Sequence, residues 1–283
     1  MSTIALYVKL ATQKLSAMTD SPLLEAELLL SHVLQVSRSY LHAYPEKEIT
    51  TEAAALFVSY LLRRIQLEPI AYITGVKSFW DFELQVSRNT LIPRPETEQL
   101  VETVLSLFPD RASTLRVLDL GTGSGAIALA LGFERPLWEI IALDLSVDAL
   151  QIARANATQL NIQNVSFRED SWHSLKLKDE FDLIVSNPPY LSCAEWGIYK
   201  QGLAFEPYEA LVSGQDGLEA IRAISSVAFL ALKQGGYLVL EHGFKQSAIV
   251  YQLLAQTGYS EVIAIKDLLG YDRITVGRVL SYS

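Results

Sequence analysis

The sequence predicts an α/β protein: a mostly parallel β-sheet with helices on both faces, ended by an antiparallel C-terminal hairpin. A small all-helical domain and a β-hairpin linker precede it. Three observations predict this. From Pro93 onward, apolar runs of strand length alternate with stretches of helical length and pattern, the alternation that buries a parallel sheet on both faces. Before about residue 70 the apolar positions recur at helical spacing. Between these regions the texture switches to period two.

In chain order, Ser21 and Pro22 form an N-cap and first helical position, because proline's missing N–H is an orphan there anyway. Leu24, Leu28 and His32 follow at helical spacing, with Leu23, Leu30 and Leu34 widening the apolar face. Thr50 or Thr51 caps a second long helix through Ala55, Val58, Leu61, Leu62 and Ile65, which stops before Pro69 with Arg63 and Arg64 suiting its dipole. Ile70, Tyr72 and Ile73, then Phe79 and Phe82 to Val86 around a Trp80-Asp81 turn, read as the hairpin. Seven strands are expected next: Arg116 to Leu120, Glu139 to Asp144, Val165 to Glu169, Phe181 to Ser186, Gly236 to His242, Glu261 to Lys266 and Arg273 to Val279. Too few residues separate the last two for a crossover helix, so they pair antiparallel. The expected boundaries are a helical domain over 1–70, a linker over 71–92 and a sheet domain over 93–283.

The chain has 283 residues, 50% of them hydrophobic, which supplies a sizeable core and excludes global disorder. Its 23 basic and 32 acidic residues give a net charge of −9, a poor match to a protein that coats a polyanion. A small molecule or a protein is the expected partner. The N-terminus lacks the basic segment, apolar run and cleavage site of a signal peptide. No stretch approaches the roughly 18 uninterrupted apolar residues of a membrane span, so a cytoplasmic location is expected. His32, His42, His173, His242 and the single Cys193 show no metal-ligand spacing, and no metal is expected.

Two motifs carry chemistry. The strand Val117 to Leu120 ends in Gly121-Thr122-Gly123-Ser124-Gly125 and opens a helix. Glycines there remove Cβ atoms where a ligand touches backbone and permit positive φ. Asp144 ends the next strand about 20 residues later, where a carboxylate can accept both ribose hydroxyls. The Gly-x-Gly-x-Gly spacing resembles motif I of the class I methyltransferases, a Rossmann-like fold whose ligand is S-adenosylmethionine. After the third strand come Asp170 and Trp172: a carboxylate to accept from the adenine amino group and an indole to pack on the ring.

The second motif, Asn187-Pro188-Pro189-Tyr190, follows a buried strand. Two prolines stop the ladder and fix φ, so the Asn187 side chain and the Pro188 carbonyl are held rigidly. An amide or exocyclic base nitrogen is a poor nucleophile, its lone pair delocalised into a π system. Two aligned acceptors, the Asn187 oxygen and the Pro188 carbonyl, each take one N–H, stabilise the developing positive charge and aim the lone pair at the methyl group. Tyr190 supplies a flat face against the planar substrate group.

The chain resembles the release-factor glutamine methyltransferases, the PrmC/HemK family, over essentially its whole length. The resemblance rests on Leu91 to Glu98, Leu118 to Ala130, Val185 to Tyr190, Phe205-Glu206-Pro207 with Ala210-Leu211, and Leu240 to Gly243. It implies methyl transfer from S-adenosylmethionine to the side-chain amide nitrogen N(5) of the glutamine in the Gly-Gly-Gln motif of class I peptide chain release factors, modulating translation termination. It implies cofactor contacts from Gly121, Thr122, Gly123, Ser124, Gly125, Asp144, Asp170, Trp172 and Asn187. Asn187, Pro188 and Tyr190 would be catalytic, and Asn187, Pro188, Pro189, Tyr190, Arg94 and Glu206 would meet substrate. The helical domain would dock the release factor, and the enzyme is expected to be a monomer that binds no nucleic acid directly. One departure is Ala204, where the family usually has arginine. The alternative function is methylation of an exocyclic adenine or guanine amine, since Asn-Pro-Pro-Tyr also serves that chemistry; base flipping needs a cationic track that this acidic chain does not advertise.

Overall fold

A computed structural model describes residues 2–173 and 178–280. The chain divides into two compact units, residues 1–76 and 77–283.

The first unit is helical: α1 (Ile4–Leu15), α2 (Pro22–Leu34), α3 (Arg38–Ala43), α4 (Thr51–Ile65) and α5 (Ile70–Thr74). Thr3, Ser37 and Thr50 cap α1, α3 and α4 by accepting backbone N–H groups. Ser21 occupies the N-cap of α2 without a side-chain cap bond. The core of this unit gathers Ile4, Ala11, Leu15, Ala26, Leu29, Leu30, Leu41, Phe57 and Ile73. The expected face of α2 is therefore corrected: Ala26, Leu29 and Leu30 are buried, while Leu23, Leu24 and Leu28 are exposed. The helix is leucine-rich on several sides, so spacing alone does not pick the buried row. Glu27 joins that row because Arg38 Nη2 at 2.6 Å and His42 Nε2 at 3.1 Å face its carboxylate. On α4 the buried side chain is Phe57, whereas Val58 and Leu62 are exposed. The strand texture read at Ile70–Ile73 is also corrected. Pro69 starts a short helix there and Gly75, at φ 77°, ends it in the left-handed region that favours glycine.

In the second unit, the hairpin is finished by β2 (Phe82–Gln85), which pairs with β1 (Val76–Phe79) around Trp80-Asp81. Then come α6 (Pro95–Leu107), β3 (Arg116–Leu120), α7 (Ala126–Glu134), β4 (Glu139–Asp144), α8 (Val147–Gln159), β5 (Val165–Glu169), β6 (Phe181–Ser186), α9 (Cys193–Leu203), α10 (Glu219–Ala231), β7 (Leu232–Glu241), α11 (Ser247–Thr257), β8 (Ser260–Lys266) and β9 (Asp272–Arg278). Among the described residues, seven strands form one sheet in the order β5-β4-β3-β6-β7-β9-β8. It is parallel except for β9, which runs antiparallel to both β7 and β8. The predicted α/β class, Rossmann-like order and C-terminal hairpin all stand in this topology.

Strand alternation distributes the core to both faces. Val117, Ile140, Ala142, Leu183, Val185 and Val239 pack with α6 and α7. Leu118, Leu120, Ile141, Leu143, Ile184, Leu238 and Leu240 pack with α10 and α11. The hairpin contributes Phe79 and Leu84 to the first cluster. Chain order reverses between β3 and β6, which places a crevice at their carboxyl ends. Among the described residues no helix is long and apolar enough to cross a membrane.

Asn156, fully buried on α8, joins three segments. Its Oδ1 accepts the Gln85 N–H at 2.7 Å, and its Nδ2 donates to the carbonyls of Gln85 at 3.0 Å and Ser124 at 2.9 Å. Asn156→Ala orphans these backbone groups and is expected to cost about 2–4 kcal/mol of unfolding free energy, measured by urea titration. A loss below about 1 kcal/mol would contradict the role given to this side chain.

Candidate active site

The site is assembled by strand register. Leu120 lies beside Leu143 on one side and Ser186 on the other, and Ser186 lies beside Leu240. The next residues, Gly121, Asp144, Asn187 and Glu241, therefore emerge together at the carboxyl edge. The Ser186 hydroxyl donates to the Leu120 carbonyl at 2.6 Å, tying β6 to β3 where the chain enters both loops.

On the β3 side, Gly121, Gly123 and Gly125 adopt φ of 77°, 57° and 86°. A Cβ on Gly125 would stand 3.0 Å from Leu129 Cδ1, so close packing as well as backbone conformation selects glycine there. Asp144 shapes the turn directly: Oδ2 accepts the Gly123 N–H at 2.8 Å and Oδ1 the Ser146 N–H at 2.9 Å. The side chains of Thr122 and Ser124 point inward and are buried. Thr122 donates to Asp119 Oδ2 at 2.7 Å, so Asp119 orders the turn through a side-chain hydroxyl. Burial pushes the Asp119 carboxyl up from 3.8 to about 7, against the Thr122 hydrogen bond and with help from the Asp144 charge.

These loops enclose a cavity of about 570 Å³, a size that suits a nucleoside-containing ligand. Gly121, Gly123, Asp144, Trp172, Asn187, Pro188 and Pro189 line it, joined by Arg88 to Leu91 and by Pro207, Glu209 and Ala210. Trp172 faces the first glycine, its Cζ3 3.5 Å from where a Gly121 Cβ would sit. Asp170 accepts the Ser171 N–H at 2.8 Å and lies outside the lining. An open glycine cradle, a carboxylate at the end of β4 and an indole wall fit an adenosyl group with a charged tail.

On the β6 side, Pro188 is buried and the Tyr190 carbonyl accepts from Gln246 Nε2 at 2.9 Å. Tyr190's ring packs against the second core cluster, and burial, with the Glu241 charge beside it, raises its phenol well above the ordinary value. The Asn187 amide donates through Nδ2 to Thr97 Oγ1 at 3.0 Å, and its Oδ1 is buried with no hydrogen-bond partner among the described residues. Such an atom costs about 1–3 kcal/mol unless something arrives to satisfy it.

Arg94 and Glu206, read as substrate contacts, are placed against each other. Arg94 Nη2 meets Glu206 Oε1 at 2.5 Å, while Glu206 Oε2 accepts the Ile92 N–H at 3.0 Å. Glu206 is buried with both oxygens engaged and neither residue lines the cavity, so the pair anchors the loop before α6. Ala204 is exposed, and Arg88, 5.0 Å from the Phe205 ring, puts a cation on that wall. Thr97, Glu241 and Asn156 support the site without having been singled out for it. Asn156 carried a signal, a polar residue at a buried phase of a helix where asparagine is disfavoured.

Comparison with known proteins follows the same division. A model described as the PrmC N-terminal domain matches residues 7–75, and one described as a methyltransferase domain matches residues 111–261. A release factor glutamine methyltransferase of Coxiella burnetii is 44% identical over 267 residues, 94% of this chain and 95% of that one. Those of Shewanella oneidensis and Vibrio cholerae are 41% and 44% identical, each across 98% of this chain and 96% of its own. Among solved structures, a methyltransferase from Pyrococcus furiosus has a TM-score of 0.51 at 19% identity, covering 81% of this chain and 98% of its own. A T. thermophilus 16S rRNA N2 methyltransferase, solved with AdoMet and guanosine, has a TM-score of 0.52 at 17% identity, covering 72% and 49%. At these identities the structural likeness speaks for the fold.

The Asp119 environment predicts a pH effect. The folded carboxyl titrates near 7 and the unfolded one near 3.8, so the folded state binds the proton more tightly. Its contribution to stability falls as pH rises through that window and levels off above it. Asp119→Asn should therefore gain on the wild type by on the order of 2 kcal/mol between pH 5 and 8, read from urea midpoints. A stability difference that stays constant with pH would contradict the buried carboxyl.

Proposed function

The chain belongs to the release factor glutamine methyltransferase family, and from that membership and the geometry at Asn187 we propose how it methylates the glutamine of the Gly-Gly-Gln motif in class I peptide chain release factors. S-adenosylmethionine is the methyl donor; it supplies an electrophilic methyl on a positively charged sulfur. Gly121, Gly123, Asp144 and Trp172, which line the cavity, would hold it, Asp144 as acceptor for the ribose and Trp172 as the wall for the adenine. Thr122, Ser124 and Gly125 act by shaping the turn, and Asp170 supports the adenine end.

The observation that carries the reading is the buried Asn187 Oδ1 with no partner among the described residues. It takes one N–H of the substrate amide and the Pro188 carbonyl takes the other. Two acceptors hold the nitrogen against rotation and stabilise the positive charge that develops on it. Pro189 fixes the loop and Tyr190 backs the substrate wall. The site calls for no general base, because the surplus proton becomes acidic once the new N–C bond exists. Arg94 and Glu206 act indirectly, by holding the loop that lines the cavity. The helical unit, with Leu23, Leu24 and Leu28 exposed, docks the protein substrate. The enzyme works as a cytoplasmic monomer and meets no nucleic acid directly, in keeping with a net charge of −9.

Purified protein given labelled S-adenosylmethionine should label a class I release factor on the Gly-Gly-Gln glutamine and lose that label when the glutamine becomes alanine. Preferential labelling of RNA or DNA would sink the reading. Asn187→Ala should lower kcat by about 10²–10³-fold, or ~3–4 kcal/mol, with a far smaller effect on cofactor binding. Unchanged turnover would refute the role of Asn187.

A further inference from the structure

Behind Asn187 stands a hydrogen-bonded pair that no cofactor or substrate contact requires. Thr97, in the first turn of α6, is 3% exposed and Glu241, at the end of β7, is 1% exposed. The Thr97 hydroxyl donates to Glu241 Oε2 at 2.8 Å and accepts from Asn187 Nδ2 at 3.0 Å. A hydroxyl has one proton. Having given it to a carboxylate, Thr97 presents only lone pairs to Asn187, so the amide nitrogen must face it. A flipped amide would set oxygen against oxygen and leave its NH₂ pointing into a site built to accept.

We propose that Thr97 and Glu241 are positioning residues whose relay locks the Asn187 side-chain amide with its oxygen toward the substrate. This rests on the functional reading above and adds the cause of the amide's orientation. It also gives the site a preference: an acceptor-only pocket selects a group with two N–H bonds and repels a carboxylate of the same shape.

The direction of the relay depends on the charge of Glu241. Facing it are Arg273 from β9, Glu96 and Arg94 at the start of α6, and Tyr190 after β6. Burial pushes the carboxyl from 4.5 to about 7, opposed by the Thr97 hydrogen bond and the Arg273 charge. Once protonated, Glu241 donates to Thr97, Thr97 turns its own proton toward Asn187, and the amide oxygen is drawn away from the substrate.

The test compares Thr97→Val and Thr97→Ser with the wild type, using S-adenosylmethionine and a class I release factor. Thr97→Val should lower kcat by about tenfold or more while KM for the cofactor stays within about twofold. Thr97→Ser, which restores the hydroxyl, should recover kcat to within about threefold. Wild-type kcat should fall about eightfold from pH 7.5 to 6, following the ionised fraction of Glu241, and Thr97→Val should lack that limb. Wild-type turnover in Thr97→Val, or the same limb in that variant, would overturn the relay. Should Thr97→Val not fold, Thr97→Ala carries the same expectations. A wild type silent on release factors would defeat the functional reading alone. The relay is then decided by side-chain amide NMR of Asn187: slow exchange of a Thr97-bonded Nδ2 proton supports it, and exchange as fast as an exposed asparagine overturns it.

Discussion

A single line of register across four parallel strands governs the site. Leu120, Leu143, Ser186 and Leu240 lie side by side at the end of the sheet, and each is buried. Both faces of these strands are buried against helices, so sliding any strand by one residue would exchange its two faces and set each side chain against the wrong helix layer, leaving cavities and clashes in a close-packed core. The hydrophobic core thereby fixes where each strand stops, and so fixes which residue comes next. Gly121, Asp144, Asn187 and Glu241 hold their places because of what precedes them. Chain order reverses between β3 and β6, so the glycine turn and the Asn187 loop separate there and leave room for a ligand.

The same burial creates the chemistry. Close to the carboxyl edge the protein buries polar groups that water would otherwise satisfy. Asp119 is covered and shifted, with one oxygen engaged by Thr122. Glu241 is covered and shifted, engaged by Thr97. Asn187 alone of these three lines the cavity, and its Oδ1 has no hydrogen-bond donor among the described residues. A hydrogen bond made in such surroundings is worth more than one in water, because the unbound state has already lost its solvation. On the function proposed above, binding and orientation of a poorly nucleophilic amide would come from the same atom.

Most of the fold and half of the site were legible in the sequence, and the physical reasons differ by element. Parallel strands buried on both faces read as apolar runs, and these could be placed from Arg116 to Arg278 within a residue or two at most ends. The placement of the glycine turn and of Asn187 to Pro189 at the carboxyl edge was legible because a tight turn selects glycine and a strand end tolerates proline. The leucines of α2 were not assignable to a face, because a helix apolar on several sides has no unique stripe. Ile70–Thr74 resembles a strand in composition, yet Pro69 and Gly75 bracket one turn of helix. Arg94 and Glu206 have charges that suit a substrate or each other, and only distance tells which. The Thr97–Glu241 pair was invisible as a unit, since 144 residues separate its members; each belongs to a motif whose purpose shows only when α6 is laid beside β7.

Everything proposed for the reaction turns on whether the unsatisfied Asn187 oxygen receives the substrate amide. A crystal structure of this protein with S-adenosylhomocysteine and a Gly-Gly-Gln peptide measures it directly. We expect the glutamine side-chain nitrogen within about 2.7–3.2 Å of both Asn187 Oδ1 and the Pro188 carbonyl oxygen, with Asn187 Nδ2 still on Thr97. A glutamine bound in the cavity with its nitrogen beyond about 4 Å from Oδ1, or an Asn187 amide turned the other way, would contradict it.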